Sequence, residues 1–341
     1  MAALLLFLYD NRLATEMEFR TCVDIGEGEV MINHNTEMMM LGSCFSEEIG
    51  RKLLDHKFRV EINPFGILYN PFSVSEALKR LISGNPFSES DLFLYNGMYH
   101  SPMHHGVFSS PRLEESLQLI NNRFEKAVAL LPLTDLLMVT FGTSWIYRRK
   151  DDDKIVANCH KLPANQFERT RLSLEEITLE WQILIKRLIQ LNPRMKLLFT
   201  VSPVRHMKDG AHENQLSKAT LQLAIERLQV LFPKQIFYFP AYEIMIDELR
   251  DYRFYGDDML HPTSLAVNYI WEKFSLFCFS HETEEVNREW SVIRQALEHR
   301  PLHPDSEAFY RFRQQTEDKL EAFARRHPSI SCDEERKKLN L

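Results

Sequence analysis

Short apolar runs that alternate with helical patterns constrain the fold of this chain most. Each run spans five or six residues and is bounded by turn residues, which is typical of a buried strand. Because the segments between the runs have helical periodicity, the alternation predicts an α/β fold with a parallel sheet covered by helices on both faces. The predicted strands are Glu37–Leu41, Phe58–Ile62, Leu136–Phe141, Lys196–Val201 and Gln235–Phe239.

Apolar residues recur at helical spacing between these strands. In the first helix Phe45, Ile49 and Leu53 share one face, and Ser46 is the expected N-cap. The other predicted helices of the sheet domain are Ser75–Ile82, Glu114–Leu131, Ser173–Leu191, Glu213–Leu231 and Ser264–Ser280.

The sequence suggests one large domain with additions at both ends. We expect the main domain over residues 17–280, with an irregular insertion at 85–112 and a hairpin tip at 151–154. Residues 281–326 read as a helical appendage, and residues 327–341 as a flexible tail. Residues 1–16 read as a non-native or disordered extension, with translation starting at Met17, which an intact-mass measurement of the native protein would test.

Composition narrows the class of protein. The net charge of -7 argues against a dedicated nucleic-acid binder. The five cysteines are scattered, which does not suit a disulfide framework and fits a reducing compartment. The opening apolar run is too short to span a bilayer. We therefore expect a cytoplasmic protein without a membrane or nucleic-acid partner, and its oligomeric state stays open.

Ser43 is the main candidate nucleophile. It follows the first predicted strand and precedes the first helix, and ligands of doubly wound sheets bind beyond the carboxyl ends of the strands. Gly42 permits a tight turn there, and backbone N–H groups at a helix start can stabilise an oxyanion. The alternative is a serine that only caps the helix.

Two Asp-x-x-His motifs offer a base and an acid that orients it. Asp209 and His212 lie in a polar stretch typical of a surface loop. Asp258 and His261 follow the last predicted strand, at the same sheet edge as Ser43. We therefore predict a triad of Ser43, His261 and Asp258, with Ser43 Oγ in hydrogen-bonding reach of His261 Nε2. Asp257 is the competing acid.

Several motifs in one order resemble the GSCFA family, a bacterial branch of the SGNH hydrolase superfamily. The resemblance covers roughly residues 30–280 and implies a flavodoxin-like three-layer α/β/α sandwich, with ester hydrolysis or acyl transfer on Ser43. The motifs are Gly42-Ser43-Cys44-Phe45, Asn63-Pro64-Phe65-Gly66-Ile67-Leu68-Tyr69-Asn70-Pro71, Thr140-Phe141-Gly142-Thr143, Val156-Ala157-Asn158-Cys159-His160-Lys161, Thr200-Val201-Ser202-Pro203-Val204-Arg205-His206 and the segment 252–262.

The same resemblance implies an oxyanion hole with one departure from the family pattern. The backbone N–H groups of Ser43 and Gly66 match two of its donors. The asparagine of a Gly-x-Asn block is missing after Gly142, and Asn158 is the candidate replacement. One lost donor costs about 10²–10³ in rate, so a slow enzyme is expected rather than a dead one.

The remaining candidates have plainer alternatives. Cys44 is a possible thiol nucleophile beside Ser43, or a buried structural cysteine. His105, Gly142 and Arg205 are expected to line the substrate pocket, although Arg205 suits an ion pair with Glu213 equally. Cys44, His104, His105, Cys159 and His160 lack the spacing of a metal site, so no metal or other cofactor is expected.

These observations favour a serine hydrolase that cleaves a small-molecule or glycan acyl ester through an acyl-enzyme on Ser43. Two alternatives stay open. One is an acyltransferase that uses the same triad to acylate a glycan. The other is a non-catalytic binding module, which the missing asparagine favours and the co-occurrence of Ser43, Asp258 and His261 opposes.

Overall fold

The computed structural model describes residues 21–26, 30–303 and 305–339. The predicted extension 1–16 and the start at Met17 lie outside these residues. The elements are, in chain order, β1 (Glu37–Gly42), α1 (Cys44–Asp55), β2 (Arg59–Ile62), α2 (Pro71–Ser83), β3 (Phe93–Tyr95), β4 (Met98–His100), α3 (Leu113–Leu130), β5 (Leu136–Phe141), β6 (Trp145–Arg149), β7 (Ile155–Val156), β8 (Phe167–Arg171), α4 (Leu174–Leu191), β9 (Lys196–Val201), α5 (Ala211–Leu231), β10 (Ile236–Tyr238), α6 (Ser264–Cys278), α7 (His281–Glu298), α8 (Glu307–Arg326) and α9 (Asp333–Lys338).

In the described part of the chain, five parallel strands form the central sheet in the order β10-β9-β5-β1-β2. All five were predicted to within one residue at each end. From β1 the chain passes outward to β2, and it then returns to place β5 on the other side of β1. This strand order is the flavodoxin-like one, so the predicted fold is confirmed, and β1 and β5 flank its topological switch point.

Alternate residues of the sheet face two separate cores, because successive side chains of a strand point to opposite faces. Met39 and Leu41 belong to the core that α2, α3, α4 and α5 cover. Met38 and Met40 pack with residues of α1 and α6. The molecule is therefore a three-layer sandwich, and α1 starts at the carboxyl end of β1, next to the central strand β5.

Two small antiparallel units are added to the sandwich. The insertion at 85–112, expected to be irregular, contains the hairpin β3–β4. Strands β6, β7 and β8 form a separate sheet, and the predicted tip at 151–154 joins β6 to β7.

The C-terminal helices pack on one another and on the sandwich. Trp290 of α7 donates its indole N–H to Asp55 O at 2.8 Å, and Lys57 pairs with the buried Glu335 of α9 at 2.6 Å. Ile330, Cys332 and Leu339 are buried in the same cluster. Residues 327–339, the described part of the 327–341 tail, thus make apolar contacts and an ion pair. Over the described ranges, every helix is too short or too polar to cross a membrane.

Candidate active site

The turn between β1 and α1 needs a glycine at position 42. Gly42 has φ of +145°, and a Cβ atom there would lie 2.2 Å from Thr140 O of the neighbouring strand β5. Ser43 N donates to the same carbonyl at 3.2 Å. The carboxyl ends of β1 and β5 therefore touch backbone to backbone at the switch point.

Ser43 is the N-cap of α1. Its backbone is extended and its Oγ accepts a hydrogen bond from Phe45 N at 3.3 Å. The side chain is buried, with 1% of the residue exposed. Ser46, the expected cap, lies instead in the first turn of the helix, and its buried hydroxyl has no partner among the described residues. The helix begins earlier than expected because Ser43 itself satisfies the free N–H group.

Asn63 holds this turn from the end of β2. Its Oδ1 accepts from Gly42 N at 2.9 Å, while Leu68 N donates to Gly42 O at 2.9 Å. Asn63 Nδ2 is buried and has no partner in the described part of the chain. Asn63 was not singled out from the sequence, although an asparagine before proline in a conspicuous turn motif is a usable signal. Its φ of +46° suits that residue type.

The structure brings Asp258 and His261 together. His261 Nδ1 lies 2.5 Å from Asp258 Oδ2, and Asp258 Oδ1 accepts from the backbone N–H groups of Leu260 and His261 at 2.9 Å each. Hydrogen bonds from His261 backbone and side chain and from Leu260 hold the pKa of Asp258 well below its usual range. Both side chains are about half exposed, at 56% for His261 and 48% for Asp258.

The second Asp-x-x-His motif does not form such a pair. Asp209 forms an ion pair with Arg169 of β8, and His212 is exposed in the first turn of α5. Asp209 therefore has a structural role, which agrees with the interpretation of this motif as part of a surface loop. Asp257, the competing acid for His261, is exposed beside Asp258.

Ser43 and His261 are not joined directly. Within the described residues, the expected hydrogen bond between Ser43 Oγ and His261 Nε2 is absent, and Ser43 Oγ instead accepts from Phe45 N of its own helix. A pocket of about 180 Å³ adjoins His261, and the first turn of α1 lines it through Cys44, Phe45 and Glu48. His261 thus faces the start of α1 across a space that can hold a small group.

Cys44 is partly exposed and borders the same pocket as His261. Burial raises the pKa of its thiol, and the charges of Glu47 and Glu48 raise it further. The thiol is therefore protonated at neutral pH, and it needs a base before it can act as a nucleophile.

The two backbone donors expected for an oxyanion hole are occupied. Ser43 N donates to Thr140 O, and Gly66 N donates to Asn63 O at 2.7 Å. Asn158 Oδ1 accepts from His160 N at 2.8 Å within its own turn. The structure shows no hydrogen bond between Asn158 and Ser43 in the described ranges.

Gly66 and His105 lie against each other beside the Asn63 turn. A Cβ atom on Gly66, whose φ is +75°, would lie 2.4 Å from His105 Cβ. His105 N also donates to Phe65 O at 3.0 Å. These two predicted site residues therefore pack together where the loop after β2 meets the loop after β4.

Gly142 is enclosed by residues that the sequence analysis did not single out. Lys218 of α5 is fully buried, and its Nζ donates to Gly142 O and Ser202 O at 2.7 Å each. A Cβ atom on Gly142 would lie 3.0 Å from Tyr69 O and 3.2 Å from His206 Nε2. Burial lowers the pKa of Lys218 to about 7 and that of His206 to about 4.

Arg205 supports the loop that carries Asp258 and His261. It donates to Met259 O at 3.0 Å, and its guanidinium lies 5.0 Å from the centre of the Tyr255 ring. Glu213, its expected partner, pairs with Arg171 at 3.3 Å instead.

The cysteines and histidines considered for a metal have other contacts. His160 Nε2 donates to Ser101 O at 2.7 Å, and His104 is stacked on Phe65 in the core. Burial raises the pKa of Cys159 to about 11. Over residues 21–26, 30–303 and 305–339, no three His, Cys, Asp or Glu side chains are grouped so that they could hold a metal ion.

Comparison with known proteins identifies two regions of the chain. The model of the GSCFA family matches residues 37–274, and that of the GSCFA domain protein, C-terminal domain, matches residues 290–341. No curated protein matches the chain.

Distant solved structures are similar in outline. A family 3 carbohydrate esterase from Clostridium thermocellum is 10% identical, with a TM-score of 0.34, over 74% of this chain and 97% of that one. A carbohydrate esterase family 3 protein from Talaromyces cellulolyticus is 8% identical, with a TM-score of 0.35, over 75% and 99%. An acetyl xylan esterase from Butyrivibrio proteoclasticus is 10% identical, with a TM-score of 0.35, over 72% and 66%.

Proposed function

Because the chain belongs to the GSCFA family, we propose that it is an SGNH-type serine hydrolase that cleaves an acyl ester. One observation carries this proposal. His261, which is paired with Asp258, lines a pocket together with the first turn of the helix that Ser43 caps. A base oriented by a carboxylate, facing a helix N-terminus beside a serine, is the arrangement that acyl transfer to serine requires.

The Asp258 carboxylate sets the orientation of the base. It accepts a hydrogen bond from the N–H group at His261 Nδ1, so that Nε2 of the neutral ring is left as an acceptor. His261 Nε2 then takes the proton of Ser43 Oγ as the hydroxyl attacks the ester carbonyl. The same proton passes to the leaving alcohol, and water, activated by His261, later releases the acid from the acyl-enzyme.

Ser43 must leave its capping position before it attacks. Its bond to Phe45 N is long, at 3.3 Å. The loss of an N-cap bond costs about 1 kcal/mol, which is small beside the activation free energy of ester hydrolysis by an enzyme. We propose that the Ser43 side chain rotates about its Cα–Cβ bond toward His261 when substrate occupies the pocket.

Asn63 replaces Asn158 in our account of the oxyanion site. Asn63 Oδ1 accepts from Gly42 N, next to Ser43, and its Nδ2 donor is buried without a partner among the described residues, whereas no hydrogen bond in those ranges joins Asn158 to Ser43. An amide donor together with the N-terminus of α1 would stabilise the developing negative charge. Asn63→Ala should lower kcat by about 10²–10³, the typical loss for one oxyanion donor.

Catalysis by Cys44 is the second candidate. It is favoured by one observation, that Cys44 and not Ser43 lines the pocket beside His261. The raised pKa of its thiol opposes it, because little thiolate forms without assistance.

Hydrolysis of p-nitrophenyl acetate separates these possibilities. We expect Ser43→Ala and His261→Ala each to lower kcat/KM by at least about 10³-fold, and Cys44→Ala to retain most activity. Loss in Cys44→Ala with activity kept in Ser43→Ala would establish the thiol instead. A folded wild-type protein that cleaves neither this ester nor other acyl esters would contradict the hydrolase proposal. Adding a sugar acceptor and analysing the products separates hydrolysis from acyl transfer.

A further inference from the structure

A larger pocket, of about 370 Å³, lies beside the loop that carries Asp258 and His261. Its volume falls in the range of small-molecule sites, about 300–1,000 Å³. Three tyrosines line it, Tyr242, Tyr252 and Tyr255, and two arginines, Arg205 and Arg250. The mechanism above makes no use of this space.

The pocket is connected to the base through one short loop. Tyr255 forms a β-bridge with Pro262, and Gly256 N donates to His261 O at 2.8 Å. Arg205 lies over Tyr255 and donates to Met259 O. A ligand against Tyr255 therefore contacts the same backbone segment that holds His261.

The charges around the pocket balance. Asp247 and Asp251 line it together with Arg205 and Arg250, so that two carboxylates and two guanidinium groups belong to its lining. An anion would meet both signs of charge, whereas a neutral polar molecule would find donors and acceptors. The pocket therefore suits a neutral ligand with several hydroxyl groups.

The shape of the lining side chains points to a ring. Tyr252 and Tyr255 lie with their ring centres 5.9 Å apart, and Tyr252 is 65% exposed. Aromatic faces pack against the apolar C–H face of a ligand, and planar polar side chains such as Arg, Asn and Gln bond to the hydroxyls at its rim. Asn214 and Gln215 line the same pocket.

Local backbone and hydrogen bonding also fit a ligand site. The wall that contains Ile246 and Asp247 is a π-helical turn, Ile244–Glu248, a conformation found frequently at functional sites. Arg205 Nε is buried and has no partner among the described residues. A bound hydroxyl group is a suitable acceptor for it.

We propose that this pocket holds the neutral sugar ring of an acylated glycan while its ester reaches the smaller pocket at His261. This inference rests on the proposed function for the ester, but binding of the sugar can be measured without catalysis. The substrate class is then a glycan acyl ester rather than a lipid ester.

Saturation-transfer NMR on the Ser43→Ala protein tests binding directly. The probes are the methyl β-D-glycosides of glucose, xylose and N-acetylglucosamine, with glucuronate and inorganic phosphate as anionic probes. We expect saturation transfer to at least one neutral glycoside. Its Kd should be roughly three- to tenfold higher in Tyr252→Ala, because that variant loses one aromatic contact with the ligand. The matched control is Tyr310→Ala, an exposed tyrosine of α8 outside the pocket, which should keep the Kd.

The outcomes separate the two proposals. Binding of only anionic probes, binding that Tyr252→Ala leaves unchanged, or no binding of any glycoside overturns the sugar pocket. If the wild-type protein nevertheless hydrolyses p-nitrophenyl acetate, the hydrolase proposal stands alone. If the wild-type protein has no esterase activity but its glycoside binding depends on Tyr252, the sugar-pocket proposal is supported and the hydrolase proposal is rejected.

Discussion

Gly42 sets the distance between the two strands that flank the site. No side chain fits between its Cα and Thr140 O, and its φ lies where other residues are strained. This close approach allows Ser43 N to reach the carbonyl of β5. The position of the candidate nucleophile thus depends on the absence of a single Cβ atom.

We expect Gly42→Ala to lower the free energy of unfolding by more than about 3 kcal/mol, because backbone strain and steric overlap add. Urea denaturation measures the change. Gly106→Ala is the control, since its Cβ would meet nothing within 4 Å. Similar small losses in both variants would contradict the tight contact between β1 and β5.

Sequence patterns singled out Ser43, Asp258 and His261 as candidates but did not rank every polar residue around them. The Asp258–His261 contact was predictable because both residues lie on one short loop. The cap was assigned to Ser46, since both serines suit a helix start and only tertiary contacts decide between them. The sequence does not indicate that Lys218 is buried, because a lysine on an amphipathic helix is usually exposed.

At the scale of elements, α5 ties two strands together at the edge of the sheet that carries the site. Lys218 Nζ bonds the carbonyls that follow β5 and β9, and Ser217 Oγ accepts from Ser144 N at 2.8 Å. Hydrogen bonds from α5 therefore fix the backbone that follows Gly142. This support fixes the turn after Gly142, where the sequence comparison led us to expect an asparagine.

Lys218→Ala should destabilise the protein by roughly 2–5 kcal/mol, because two buried carbonyls lose their donor and a cavity is left. Lys218→Met should cost less, since it keeps most of the packing. Lys186→Ala, at an exposed position of α4, is the control and should change stability by less than about 0.5 kcal/mol. If urea denaturation gives the same free energy of unfolding for all three variants, the Lys218 hydrogen bonds do not stabilise the protein.

The central elements were predictable and the additions less so. Buried parallel strands are continuous apolar runs, so their limits agree with the structure. The hairpin β3–β4 is too short and too mixed in polarity to show a period. The packing of residues 327–339 depends on a distant partner, Lys57, that no local pattern reveals.

For the whole molecule, buried histidines link stability to pH. Burial lowers the pKa of His34 to about 4, of His104 to about 3 and of His206 to about 4. An unfolded chain binds these protons near pH 6.5. Between about pH 6.5 and pH 4 the unfolded state therefore holds more protons, and stability falls as the pH falls.

We expect the free energy of unfolding to decrease by up to about 1.4 kcal/mol per pH unit for each such histidine across this window. His104→Phe removes one titrating group and keeps an aromatic ring in the core. Its stability should therefore depend less steeply on pH than that of the wild type, as urea titrations from pH 6.5 to 4 would show. Parallel curves would contradict the burial of a neutral His104.

The central claim is that Ser43, activated by His261, attacks an acyl carbon. It is tested most directly by labelling with a fluorophosphonate at neutral pH and locating the adduct by peptide mass spectrometry. We predict one adduct on Ser43, lost in His261→Ala, strongly reduced in Asp258→Asn and kept in Cys44→Ala, with all proteins folded by circular dichroism. An adduct on another residue, or none on folded wild-type protein, would contradict the account.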